Sequence, residues 1–143
     1  MKKIKTIAFW VASFTWGLPM SLIGGFISIA LLIIGVKPEV FHGLVHFKVG
    51  KNWGGLNCGC FFFTDNNPSL HTKQHECGHG IQNIIFGWFM PFVVGIPSGV
   101  RYWYRRYLTE IKKMPRKELK PYDSIWFEGW ATAIGEKYFS EKR

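Results

Sequence analysis

Hydrophobic positions fall into two long uncharged blocks, separated by a stretch that alternates and then by one with a polar stripe. The first block, Ile7 to Val36, is thirty residues without a charge. About 20 helical residues cross a hydrocarbon core, so this block is long enough for a membrane segment. Gly17, Pro19, Gly24 and Gly25 are places where it can kink or turn back as a re-entrant hairpin. A cleaved signal peptide fits less well, because the run is long and no small-residue site closes it. The second block, Ile84 to Val100, holds seventeen uncharged residues interrupted by Gly87, Pro91, Gly95 and Pro97, which predicts a broken apolar segment at 84–100.

Between the blocks the period changes. Phe41, Val45, Phe47 and Val49 alternate with other residues, Lys51 to Gly55 breaks the run, and Leu56 to Thr64 follows as a second strand-like segment, so one β-hairpin is expected. From His71 onward the spacing is helical. His71, His75, His79 and Gln82 fall on one stripe about 80° wide. Asn67 and Pro68 supply an N-cap and first helical residue, and Gly78 and Gly80 predict that another element packs close against the backbone. A last helix is expected from Asp123 or Ser124 through Phe139, with Glu128, Ala131, Thr132 and Gly135 on one face, small enough to lie against those glycines. The expected fold is mainly α with a small β-hairpin, its membrane-embedded helices packed around the histidine helix and the C-terminal Glu-bearing helix. It divides into an N-terminal membrane segment, 1–36, and a metal-binding domain, 37–143.

Composition supports the membrane reading: 48% of residues are hydrophobic and 17% aromatic, with a formal charge of +9. Residues 101–143 carry eleven Lys or Arg against six Asp or Glu. These cluster beside the apolar blocks and form no nucleic-acid motif, so the expected partner is an anionic lipid bilayer and not nucleic acid. Arg101 to Tyr107 mixes arginines with aromatic rings as headgroup-level segments do. Lys112 to Lys120 is an exposed loop, against the membrane or simply solvated. With basic residues at both ends, the expectation is an integral protein of the cytoplasmic (inner) membrane of a bacterium, and three cysteines lean toward a reducing compartment.

The chemistry lies in His75-Glu76-Cys77-Gly78-His79. Residues four apart share a helical face, so two imidazoles can converge on one Zn²⁺ while Glu76 reaches the flank. This pentad resembles the active-site helix of the zincin metallopeptidases. The resemblance implies that His75 and His79 bind Zn²⁺, that Glu76 acts as general base on water at the metal, and that a peptide or protein is the substrate. It further implies that the strand before the helix lies along an extended substrate; an amphipathic ribbon covering the core is the alternative. In the gluzincin branch a glutamate on a later helix is the third ligand, which points to Glu128, with Glu136 and His71 as rivals. Several gluzincins carry an acidic residue four positions after that glutamate, where this chain has Thr132. Gln82 is either a hydrogen-bonding partner at the site or ordinary helix polarity. Cys58 and Cys60, with two histidines, form a rival structural zinc set, and small packed residues are the plainer account of them.

Two other classes compete with the hydrolase: a non-catalytic membrane protein with a structural zinc site, and a membrane-surface adaptor without metal. For Glu128 to share a metal with the pentad, segment 84–100 must turn back and not cross. A chain this short and apolar also leaves little room for a deep cleft, which favours a substrate delivered in or along the membrane.

Overall fold

The computed structural model describes residues 3–140; the basic positions at Lys2, Lys142 and Arg143 lie outside them. Helices dominate: α1 (Lys3–Thr15), α2 (Leu18–Ile33), α3 (Leu70–Phe86), α4 (Ile96–Arg106) and α5 (Trp126–Tyr138). π-helical turns at Pro91–Gly95 and Tyr107–Ile111 extend α4 at both ends, so that one helix runs without interruption over Pro91–Ile111.

The strands differ from the expected single hairpin. Each strand-like run folds on itself, giving β1 (Glu39–Phe41) with β2 (Leu44–Lys48), and β3 (Gly55–Cys58) with β4 (Phe61–Thr64). The reason is local. His42 and Gly43 both adopt positive φ, 50° and 92°, as a tight two-residue hairpin turn requires. At the second turn Gly59 sits at φ 71°, its N–H bonded to Asn57 Oδ1 at 2.9 Å. The two hairpins join through parallel pairing of β2 with β4, Phe47 opposite Phe63, in the order β1-β2-β4-β3. Phe61, Phe62 and Phe63 are consecutive because the sheet is covered on both faces. Phe47 and Phe63 join Met20, Met90, Val94 and Phe127 on one side, while Leu44 and Phe62 join Phe9, Cys77 and Phe139 on the other.

Both apolar blocks are bent. α1 and α2 meet at 99°, and the Leu70–Phe89 helix meets Pro91–Ile111 at 117°. No single helix among the described residues is long and apolar enough to cross a membrane. α2 lies on the sheet at Gly24, where a Cβ would come within 2.6 Å of the Cys58 carbonyl. The two bends touch: Asn83 Nδ2 donates to the Gly17 carbonyl at 3.2 Å, and the Trp16 indole lies against Gly87.

α3 and α5 make the tightest helix pair. A Cβ on Gly78 would collide with the Ala131 carbonyl, and one on Gly135 with the Gln74 carbonyl, so the glycines on each helix admit the backbone of the other. The helix starts differ from expectation. Asp65 Oδ1 takes the Asn67 N–H at 3.1 Å in a turn, so capping of α3 passes to Ser69, whose Oγ accepts from Thr72 N at 3.0 Å. Ser124 does not cap α5, because its hydroxyl is held by Arg101 Nη2 at 3.1 Å; Ile125 occupies the cap without a side-chain bond.

Candidate metal centre

Three side chains from α3 and α5 converge. His75 Nε2, His79 Nε2 and Glu128 Oε2 are each 3.1 Å from the other two. The helical period places the two histidines on one face, and the glycine contacts bring α5 near enough for Glu128 to reach them. Glu128 is fully buried, His79 nearly so, and the His75 side chain is 12% exposed.

Hydrogen bonds outside the triangle orient its members. Gln82 Nε2 donates to the Phe127 carbonyl at 2.7 Å, which turns its Oε1 toward His79 Nδ1 at 2.8 Å. Nδ1 must therefore carry a proton, which presents Nε2 to the triangle, free to bind a metal or, when it is protonated as well, to donate to Glu128. His75 Nδ1 lies 2.9 Å from the Thr132 hydroxyl, which is the partner that orients that ring. Ser98, from α4, donates to Glu128 Oε1 at 2.5 Å. Burial by itself would raise the Glu128 pKa, but hydrogen bonds from both histidines and Ser98 outweigh it and hold the carboxyl well below its usual range. Once those imidazole protons are lost, three acceptor atoms this close would repel one another unless a cation lay among them. Chemically the set fits: the group can hold one metal ion.

Glu76 flanks the triangle, 5% exposed. It sits over β3, where a Cβ on Gly55 would strike its carboxylate. Burial pushes its pKa up to about 7, opposed by His75 and reinforced by the negative Glu128. The rival ligands lie elsewhere: His71 Nδ1 and Glu136 Oε1 are 3.5 Å from each other at the surface, both more than half exposed. The three cysteines are free and buried. Burial pushes the Cys58 and Cys60 thiols up to about 12 and 11, and neither joins a metal-ligating group among the described residues.

Contrary to the expectation of little room, a cleft of about 1330 Å³ opens on the triangle. The 117° bend makes it, by swinging Pro91–Ile111 away from α3 to form a wall opposite β3. Tyr122 lines this cleft with its ring 6.4 Å from that of His75, and its hydroxyl is 3.3 Å from Ser98 Oγ. Arg101 anchors the Tyr122 segment through the Pro121 and Tyr122 carbonyls, both at 3.0 Å. Ser98 and Tyr122 were not legible as site residues. A signal existed for Ser98: it is the one hydroxyl in the uncharged run from Ile84 to Val100.

No protein-family model, curated protein or solved structure matches the chain.

Proposed function

We propose that the protein is a zinc-dependent metallohydrolase of zincin type, most simply a peptidase, working on a substrate presented at a membrane. One observation carries this reading: three ligand atoms 3.1 Å apart beside a buried carboxylate, Glu76, at the base of a cleft.

The donor set favours zinc. Zn²⁺ takes nitrogen and oxygen ligands at about 2.0–2.2 Å, and in tetrahedral geometry such ligands stand about 3.3 Å apart, close to the separations found. Two imidazoles argue against Mg²⁺ or Ca²⁺, which prefer oxygen. A bound Zn²⁺ would supply Lewis acidity and bring the pKa of water to about 7.

The remaining work falls to the chain's own residues. Glu76 accepts the proton of the attacking water and hands it to the leaving group. Gln82 and Thr132 hold the two imidazoles in orientation, and Ser98 holds the carboxylate of Glu128. β3 is an edge strand whose Gly55, Leu56 and Asn57 line the cleft, so an extended peptide can add to it through main-chain bonds. That geometry favours a peptide over a compact small molecule.

The test is metal content and peptide hydrolysis on detergent-purified protein, comparing the unaltered chain with His79→Ala, Glu128→Ala and Glu76→Gln. One zinc per chain, lost with His79→Ala and sharply weakened with Glu128→Ala, is expected. Glu76→Gln should keep the metal and lower turnover by about 10²–10⁴-fold. Zinc that stays with undiminished hydrolysis in Glu76→Gln would remove the base from the mechanism. Absence of metal from the unaltered protein would overturn the hydrolase reading as a whole.

A further inference from the structure

The Pro91–Ile111 helix has two faces with different tasks. Val94, Gly95, Ser98, Gly99, Tyr102 and Arg105 wall the cleft. Phe92, Ile96, Val100, Trp103, Tyr107 and Ile111 are exposed, from 43% at Tyr107 to 69% at Ile111, with Trp103 standing where this face meets the rim of the cleft. Their spacing of four, four, three, four and four residues places them within about 100° of the helix circumference, one continuous stripe. An apolar stripe of this length facing water requires something to cover it.

The charges nearby identify the cover. Between residues 101 and 120 stand eight Lys or Arg against two Glu. Arg106 lies over the Trp103 ring at 5.5 Å and Lys112 over the Tyr107 ring at 6.0 Å, a pairing suited to the boundary between acyl chains and headgroups. Arg101, Arg105 and Arg106 stand in the body of the helix, which makes a crossing of the hydrocarbon core costly. A sharply amphipathic, basic, aromatic helix of low net hydrophobicity lies in the plane of a membrane interface.

A second, independent observation extends the same surface. Where the two helix bends touch, Trp16, Trp88 and Phe89 are 48%, 53% and 62% exposed, and Trp88 and Phe89 come just ahead of Phe92 in the chain. The two bent pairs, at 99° and 117°, meet at their bends.

We propose that this surface seats the protein on one leaflet of an anionic bilayer, with the Pro91–Ile111 helix flat in the headgroup layer and the aromatic apex dipping into the acyl chains. The metal cleft, walled by the opposite face of that helix, then opens along the membrane surface. Its substrate would be a peptide segment emerging from the same leaflet. The seating stands on the surface alone; the substrate clause rests on the hydrolase reading.

The experiment places a spin label at Phe92→Cys, Val100→Cys and Ile111→Cys in turn, with the unaltered chain as labelling control. The protein is reconstituted into phosphatidylcholine vesicles with and without phosphatidylglycerol, and collision with oxygen is compared with collision with a water-soluble nickel chelate. Equal, shallow depths at all three sites are expected, about 5–10 Å below the headgroups. Omitting phosphatidylglycerol should weaken vesicle binding at least about tenfold, the share of one or two basic residues. Depth that grows steadily along the helix would mean a crossing, and free nickel collision at every site a stripe outside lipid. Labels shielded from both agents would mean cover by a second copy or another protein. Each of these overturns the seating, as does binding indifferent to the anionic lipid. Quenching of the tryptophans of the unaltered chain by brominated lipid reads the same depth without substitution. Zinc content on the same samples separates the two readings: shallow equal depths without zinc would sink the hydrolase and leave the seating.

Discussion

Gln82 shows how one side chain determines the chemistry of another. Its amide is locked by the Phe127 carbonyl at 2.7 Å, and that lock dictates which nitrogen of His79 carries the proton. Gln82→Leu keeps the bulk, removes the lock and leaves a buried carbonyl without its donor. Metal affinity should fall about 10–100-fold, read by chelator competition. Thr132→Val should act in the same direction on His75, because the hydroxyl at 2.9 Å is the partner of its Nδ1. Unchanged affinity in both variants would show that helix packing alone orients the imidazoles. The pentad was legible from spacing, since a period of 3.6 residues puts positions four apart on one face whatever the fold. The role of Gln82 was not legible, because its partner Phe127 is 45 residues away.

At the scale of elements, the metal centre depends on how closely α3 and α5 approach. Gly78 and Gly135 each meet a carbonyl of the opposite helix where a side chain would stand. Gly78→Ala should therefore cost about 1–3 kcal/mol by overpacking and weaken metal binding together with stability. Gly99 is the control: it is helical, has nothing within 4 Å of an added Cβ, and lies on a different element. Gly99→Ala should raise stability by up to about 1 kcal/mol, the helix propensity of alanine over glycine. Thermal unfolding of both variants checks the pair, and equal shifts of the same sign would contradict the packing argument. The smallness of this face was visible in the sequence as Glu128, Ala131, Thr132 and Gly135. The hairpin pairing was not, since parallel contact between β2 and β4 joins segments that no turn signal relates.

For the whole molecule, stability depends on pH through a group outside the metal centre. His46 is 1% exposed, stacked on Phe62 at 4.2 Å, and bonded through Nε2 to Thr64 Oγ1 at 2.7 Å. Burial lowers its pKa from the ordinary 6.5 to about 4, although Glu39 pulls the other way. Above pH 6.5 the ring is neutral folded or unfolded, and its contribution is fully present. Between pH 6.5 and about 4 only the unfolded chain takes up the proton, so stability falls across that window, by up to about 3 kcal/mol. A His46 ring titration by NMR with a midpoint near 4, together with urea midpoints that drop over the same range in chelator-treated protein, is expected. A midpoint near 6.5 would refute it.

What the sequence by itself determined is what depends on local period and composition: two apolar blocks, a helix with His75, Glu76 and His79 in register, and a small-faced helix carrying Glu128. Backbone geometry makes those relations hold over a few residues regardless of distant partners. Only the tertiary structure decided the rest. The 117° bend turns Pro91–Ile111 back so that Ser98 meets Glu128, the α3–α5 contact selects Glu128 over Glu136, and the space behind the bend becomes a cleft. These follow from contacts between residues far apart in the chain, where packing chooses among arrangements that local sequence leaves equally open.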